Sequence, residues 1–352
     1  MEPFTDIDTG RAGNGPVVGA RCDDGVMSEP SIAPDVDERT FRELTEPYRA
    51  ELRTHCYRML GSMYDAEDAL QETLLAAWRG MAEFQQRSSV RTWLYRIATN
   101  RCLNFRRAAL RRPVAPLPFA APEPTRRGEV SWLQPCPDAL LDPQQVLTAR
   151  ASVELAFIAL LQQLPPRQAA VLVLRDVLEF SAAEVADLLG LTPVAVKAAL
   201  QRARERLSRR GGGRPEPEPG SPTERGLSER FARAFEAADV GAVVELLTDE
   251  AWLTMPPWPH EYHGRAAIGE FLRGIPAFRD RAEIRLQSVR ANAHPAFGCY
   301  SRRADGSFRA TGLLVTTYGP DGISALAHFP PAENFPRFGL PLALPPWDRT
   351  IS

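Results

Sequence analysis

Proline is concentrated in two stretches that no continuous helix can cross. It lacks a backbone N–H, and its ring blocks the carbonyl four residues back, so each cluster ends the element before it. The first runs through Pro113, Pro116, Pro118, Pro122, Pro124, Pro135, Pro137 and Pro143. The second is Gly211–Gly213 followed by Pro215, Pro217, Pro219 and Pro222. A chain of 352 residues divided this way forms several domains rather than one. Helical periodicity fills Glu38–Ala109 and resumes over Pro143–Arg210. From Leu227 the texture changes. Helical stretches at Leu227–Ala238 and Ala266–Leu272 precede strand-like runs at Ala282–Ala291, Phe297–Arg302, Ser307–Tyr318 and Ile323–Phe329, an α+β pattern. Residues 1–36 are polar and aperiodic, the composition of a disordered tail. The expected parts are therefore a tail (1–36), a helical domain (37–112), a linker (113–142), a second helical domain (143–210), a Gly/Pro linker (211–225) and an α+β domain (226–352).

Charge is sorted along these parts. The net charge is only −2, which excludes a uniformly basic nucleic-acid coat. Yet residues 87–112 hold eight Arg and no acid, and residues 196–210 hold six basic residues against one acid. Lys197 is the single lysine; the other cations are Arg, whose planar fork suits phosphates and base edges. Five scattered Cys without CxxC spacing fit free thiols in a reducing compartment. No apolar run reaches the roughly 18 residues of a membrane span, and no signal-peptide pattern opens the chain, so a cytoplasmic protein with no membrane partner is expected.

The first basic block reads as one helix, Val90–Arg107. Val90, Leu94, Ile97, Ala98 and Phe105 fall within about 100° of each other on a helical wheel. Thr92, Arg96, Thr99, Asn100, Arg106 and Arg107 lie opposite, and Arg101 falls within the apolar sector, where it must snorkel or pair. Arg and Asn beside aromatic rings suit single-stranded or melting DNA, because Arg neutralises phosphates while rings stack on any base. A solvated helix face with Trp93 in the core would produce the same pattern. Before this block lies an acidic helix, Asp65–Trp78, with Asp65 as its expected N-cap. Its expected buried stripe is Ala66, Leu70, Leu74 and Ala77, with Asp68, Gln71, Glu72, Leu75 and Arg79 facing out.

The run DAEDALQETLLAAW followed by RSSVRTWLYRIATNRCLNFRR closely resembles the second conserved region of sigma-70-family factors of the extracytoplasmic-function group. The resemblance implies docking of the acidic helix on the β′ clamp helices of core RNA polymerase, through Asp65, Asp68, Gln71 and Glu72. It also implies melting and holding of the minus-ten promoter element by Arg87, Arg91, Trp93, Arg96, Asn100, Arg101, Asn104 and Arg106, with Trp93 near the point of strand opening.

The second basic block sits in a helix-turn-helix pattern. Ser181-Ala-Ala-Glu184 is a capping box, Gly190 suits the left-handed end of a short helix, and Thr192-Pro193 opens the next. Val196, Leu200, Ala203 and Leu207 are expected inside; Val194, Ala198, Ala199 and Gln201 are expected to face out. Gln201 could bond adenine, Val194 and Ala198 could touch a thymine methyl, and Lys197, Arg202, Arg204 and Arg206 flank them where phosphates would run. The segment from Leu164 to Leu207 resembles the fourth conserved region of the same family, which reads the minus-thirty-five element; its small residues at Ala198 and Ala199 depart from many members. The resemblance adds the polymerase β flap and an anti-sigma protein as expected partners. The linker resembles that of one subgroup, with Trp132 and Leu133 in its Pro-rich frame.

Beyond Leu227 the chain resembles SnoaL-like domains, cone-shaped α+β folds around an apolar pocket. The overall expectation is thus multidomain: two all-α helical domains plus a C-terminal α+β cone. Pocket candidates are Met255, Trp258, His260, Tyr262, His263 and His328. HEYH is not a HExxH zinc motif, so neither metal nor cofactor is expected. His328 suits a pocket residue or a satisfied strand histidine. No Asp–His or Cys–His pairing supports covalent chemistry, so the expected protein is a non-enzymatic sigma factor whose C-terminal domain regulates it, with a small ligand open as its effector. Two alternatives remain at this level: an enzyme fused to a DNA-binding regulator, and a ligand-sensing regulator that binds promoters without polymerase.

Overall fold

A computed structural model describes residues 37–84, 88–109, 114, 116–117, 119–128, 132–143, 152–208, 217–279, 283–330 and 332–346. The expected tail, Arg87 and residues 211–216 of the second Pro/Gly stretch lie outside them. In the first helical unit, α1 (Glu38–Thr45) opens under an Asp37 cap, and α2 (Arg49–Leu60) ends at Gly61 in the left-handed region. Helix α3 (Met63–Gly80) follows, then α4 (Val90–Ala109). These helices close around Leu52, Met59, Ala66, Leu70, Leu94 and Ala98. Asp65 is not the N-cap of α3. Because Gly61 already ends α2, Ser62 is the first side chain placed to cap, and it accepts from the Asp65 N–H at 3.2 Å. Asp65 itself is buried in the first turn.

The second helical unit comprises α5 (Leu155–Gln162), α6 (Pro166–Leu172) running into a π-helical turn at Val173–Val177, α7 (Ala182–Leu189) and α8 (Pro193–Ser208). Both halves of the Ser181–Glu184 capping box form, Gly190 is left-handed at φ 62°, and Thr192 accepts from the Ala195 N–H. Val196, Leu200 and Ala203 are buried, as the wheel predicts. Ala199, expected outside, is also buried, because α6 and α7 both pack along α8 and widen its inner face.

The two helical units touch. Two α4 positions expected on the solvent face are buried, Thr99 by α2 within the first unit and Arg106 by the second unit. Thr99 Oγ1 lies 3.0 Å from His55 Nε2 in a fully buried pair. Arg106 is buried, and one of its terminal nitrogens donates to the carbonyls of Leu161, Gln162 and Leu164 at 3.1, 3.0 and 2.9 Å. It satisfies the open carbonyl end of α5, an arrangement no wheel of α4 alone could show. Arg101 resolves its awkward place by pairing with Glu72 at 3.7 Å.

The C-terminal part begins with α9 (Pro222–Glu236) and α10 (Val240–Glu245), followed by β2 (Leu247–Met255), β3 (Trp258–His263), α11 (Arg265–Gly274) and α12 (Pro276–Arg279). The strands β4 (Ile284–Ala291), β5 (His294–Arg302), β6 (Phe308–Gly319), β7 (Gly322–Phe329) and β8 (Ala343–Leu344) complete it. A further strand, β1 (Arg126–Arg127), comes from the Pro-rich segment between the helical units and pairs with the outer edge of β3. The sheet order is β1-β3-β2-β7-β6-β5-β4, with β8 on β6; among the described residues only the β2–β7 pair is parallel. One face packs under α9–α12 around Phe231, Leu253, Phe271, Leu314 and Leu326. The apolar cluster of the helical units continues into the sheet through Ala296, Tyr300, Phe308 and Val315, so helices and sheet share one core.

His55 yields a pH prediction. It is fully buried, and burial, reinforced by the Arg58 and Arg91 charges, lowers its pKa to about 3. The unfolded chain binds a proton near 6.5 that the folded chain refuses, so the stabilisation present above 6.5 is lost as pH falls toward 3. The contribution lost by pH 5 is about 2 kcal/mol. His55→Gln should therefore lose about 2 kcal/mol less than the parent between pH 7 and pH 5 in urea titrations; equal losses would show that His55 is not the group that titrates.

Candidate functional site

Helix α3 presents Asp68, Gln71 and Glu72 to solvent in a row with Leu75, which is 56% exposed. Asp65, the fourth expected member of this face, is turned inward. The row sets one exposed leucine among two acids and an amide.

The basic face of α4 is divided. Arg96, Asn100 and Asn104 are exposed and free of the second helical unit's cover. Trp93 is half-buried and tilted against Phe84, with ring centroids 4.7 Å apart. Arg91 is paired with Glu51 at 3.2 Å, and its guanidinium lies 4.9 Å from the Tyr95 ring centroid and 5.0 Å from that of Phe180. Phe180 comes from the loop before α7 and meets Tyr95 edge-on at 5.4 Å. The second unit thus caps the N-terminal part of the α4 face. Burial pulls the Glu51 pKa up while Arg91 opposes it, as expected of a pair held in a shared, partly dry site.

On α8, Val194 is 76% exposed at the N-terminal end, with Lys197, Gln201 and Arg202 also exposed and Ala198 half-buried. Gln201 rests on Glu205 at 3.0 Å. Arg204 is drawn aside by a two-pronged bond to Asp176, at 2.8 and 2.6 Å, which raises its pKa. An apolar tip flanked by amide and cations is what base edges and phosphates require of an inserted helix.

In the C-terminal part a cavity of about 380 Å³ opens between α9, α11, α12 and the sheet. Of the six pocket candidates, only Met255 and His328 line it. Tyr262 lies beneath it against Phe271 and donates to the Pro122 carbonyl at 2.8 Å. His263 stacks on Trp252 and meets Glu250 at 3.1 Å, while His260 pairs across the sheet with Arg127. Trp258 packs beside the α9–α12 core at the start of β3. No group of three potential metal ligands occurs among the described residues.

Sequence reasoning missed the joint that binds these parts. Asn292, at the tip of the β4–β5 hairpin, donates through Nδ2 to the Val153 carbonyl at 2.6 Å and to the Tyr57 hydroxyl at 2.9 Å. Its Oδ1 accepts the Cys136 N–H at 2.8 Å, and Tyr57 donates in turn to the Gln134 carbonyl at 2.8 Å. Four segments meet at this one side chain. Asn292 and Ala293 both have positive φ, but the usual Asn-Gly hairpin signal is missing because Ala293 stands where Gly is expected.

Comparison with known proteins follows the same divisions. Residues 44–112 match the family model described as Sigma-70 region 2, residues 154–207 that of Sigma-70, region 4, and residues 228–325 that of the SnoaL-like domain. The chain is 44% identical over 335 residues to the ECF RNA polymerase sigma factor SigG of Mycobacterium tuberculosis (strain CDC 1551 / Oshkosh), covering 92% of this chain and 90% of that protein. It is 31% identical over 173 residues to SigM of M. tuberculosis (strain ATCC 35801 / TMC 107 / Erdman), covering 49% of this chain and 78% of that one. In fold it is similar to the crystal structure of the M. tuberculosis extracytoplasmic function sigma factor SigJ, with a TM-score of 0.56 and 23% identity over 84% of this chain and 98% of that one.

Proposed function

Because this chain belongs to the extracytoplasmic-function RNA polymerase sigma factors, we propose a role for each of its exposed faces in promoter use. The chain binds core RNA polymerase and promoter DNA and directs initiation. Asp68, Gln71, Glu72 and Leu75 form the polymerase-docking face. Arg96, Asn100, Asn104 and Trp93 hold the melted minus-ten strand, joined by Arg91 and Arg101 once their pairs with Glu51 and Glu72 part. Val194, Lys197, Ala198, Gln201 and Arg202 read and grip the minus-thirty-five element, with Arg204 released from Asp176. The observation that carries this reading is the exposed row of acids on α3 set beside the Arg/Asn face of α4.

The arrangement described is closed. Two elements whose names place them 25 base pairs apart lie about 85 Å apart along B-form DNA at 3.4 Å per pair. The loop before α7 seats Phe180 against Tyr95 and Arg91 of α4, so the two helical units must separate before both elements are engaged. The C-terminal domain modulates this opening through its hold on the joint at Asn292. Its part in this reading is regulatory; among the described residues no carboxylate lines the cavity beside His328. The site of action is the cytoplasm, and no described helix is long and apolar enough to cross a membrane.

The test is transcription in vitro with core polymerase. Asp68→Arg should weaken polymerase capture at least tenfold while leaving the melting temperature within about 1 °C, since the side chain is exposed. The full-length chain and a chain truncated after Arg210 should both initiate at the same promoter, with different yields. Initiation by neither form, or unchanged capture by Asp68→Arg, would overturn the assignment.

A further inference from the structure

The cavity in the C-terminal domain has a wall that the domain does not supply. Phe119, from the segment joining the two helical units, lines it, with its ring 6.2 Å from that of Phe271. Leu117 and Ala121 pack against the same apolar cluster. The segment is then pinned: Pro122 accepts from Tyr262, Thr125 Oγ1 accepts from the His263 N–H at 3.1 Å, and β1 pairs along β3. The chain between the two DNA-binding units therefore forms part of a small-molecule-sized chamber.

The lining defines the occupant. It is almost wholly apolar, and at about 380 Å³ it falls in the range of ligand pockets. Its polar groups are few: Ser301, Thr311 and His328. Thr311 already donates to the Cys299 carbonyl, so its hydroxyl oxygen is left as an acceptor. His328 makes no hydrogen bond to any described residue. Its ring lies over Gly312, where a Cβ would come within 2.8 Å of Nε2, so the backbone was left bare to let the imidazole project there. Burial pulls its pKa down to about 4, and the ring is neutral. A half-buried imidazole that lines the cavity, with no described residue bonding it, leaves its ring nitrogens open to a partner within that cavity.

We propose that this cavity binds a neutral, largely apolar small molecule carrying one hydrogen-bonding group aimed at His328, and that binding locks the Phe119 segment onto the sheet. The occupant gains contact with Phe119 only when the segment is docked, so by linkage it must favour the docked, closed arrangement. The consequence for transcription rests on the sigma-factor reading; binding and docking do not.

The probe is N-phenyl-1-naphthylamine, a neutral apolar fluorophore, titrated into the full-length chain. Saturable enhancement is expected, weakened at least tenfold by Ala277→Trp at the cavity lip and by Phe119→Ala. 1-Dodecanol should displace the probe at least tenfold more effectively than dodecanoate at pH 8. Tryptic cleavage at Arg126 and Arg127, followed by mass spectrometry, should slow several-fold with saturating probe in the parent but not in Phe119→Ala. Thermal melts confirm that each variant is folded, and Phe119→Ala stands in if Ala277→Trp is not. Absent binding, binding indifferent to both variants, equal displacement by dodecanoate, or unprotected cleavage would each overturn the proposal. None of these arms contains polymerase, so their failure leaves the promoter role standing. Failure of initiation in vitro leaves the binding result standing.

Discussion

Asn292→Ala is expected to destabilise the chain by about 4 kcal/mol. The substitution strips hydrogen bonds from the Cys136 N–H, the Val153 carbonyl and the Tyr57 hydroxyl, all in a site with no solvent exposure at Asn292. Each buried polar group left unmet costs about 1–3 kcal/mol. Alanine must also hold the positive φ of 56° that Asn tolerates better. Asn292→Gly separates the two terms: it keeps the backbone comfortable and should lose about 1 kcal/mol less than Asn292→Ala. Because the joint ties α2 to the β4–β5 hairpin, the variant should also unfold in two steps, helices apart from sheet. A single transition shifted by less than 1 kcal/mol would refute the importance given to this side chain.

Arg106→Met comes next in size, at about 3 kcal/mol of stability, since three carbonyls at the end of α5 lose a charged donor. The same residue, taken from sequence as a DNA contact, would predict something different. Removing a phosphate contact to the melted strand lowers the slope of log affinity against log salt by about 0.7. Arg106→Met should leave that slope unchanged in promoter binding by the holoenzyme. Arg96→Met, on the exposed face, should reduce the slope with almost no effect on stability. Denaturant titration and salt-series binding on both variants distinguish a strut from a contact; a lowered slope for Arg106→Met would restore it to the DNA face.

Local chemistry was readable in the sequence. The capping box at Ser181, the end of α7 at Gly190 and the inner stripe of α8 are each decided within a few residues, and the structure has them. The outward row Asp68, Gln71, Glu72, Leu75 follows from helical period alone. What failed were statements depending on neighbours distant in sequence. Thr99 and Arg106 are solvent-facing only if α4 has nothing behind it; α2 supplies His55 to Thr99, and the end of α5 supplies carbonyls to Arg106. Strands β2 and β3 escaped notice because Asp249 and Glu250 break the alternation in one and Pro259 interrupts the other. The Pro-rich segment read as a linker because nothing local reveals that Phe119 has a pocket waiting for it. Met255 and His328 reached the cavity, whereas His263 turned to Trp252 and Glu250, and His260 sits opposite Arg127 in the β1–β3 register.

Strand β1 has a consequence for how the chain is made. The Pro122 carbonyl and the Tyr262 hydroxyl that secures it are separated by 140 residues. At the usual 5–20 residues per second, the ribosome delivers the second roughly 7–28 s after the first. For the last 54 residues of that interval, roughly 3–11 s, the second helical unit is complete and free to settle on the first, while the segment between them has no sheet to join. The last part to emerge must therefore gather in a strand that has been waiting since before it was synthesised. A C-terminal fragment expressed alone would lack that strand and bare the outer edge of β3, a template for other chains. Such a fragment should aggregate, and adding a peptide covering residues 117–128 should keep it monomeric.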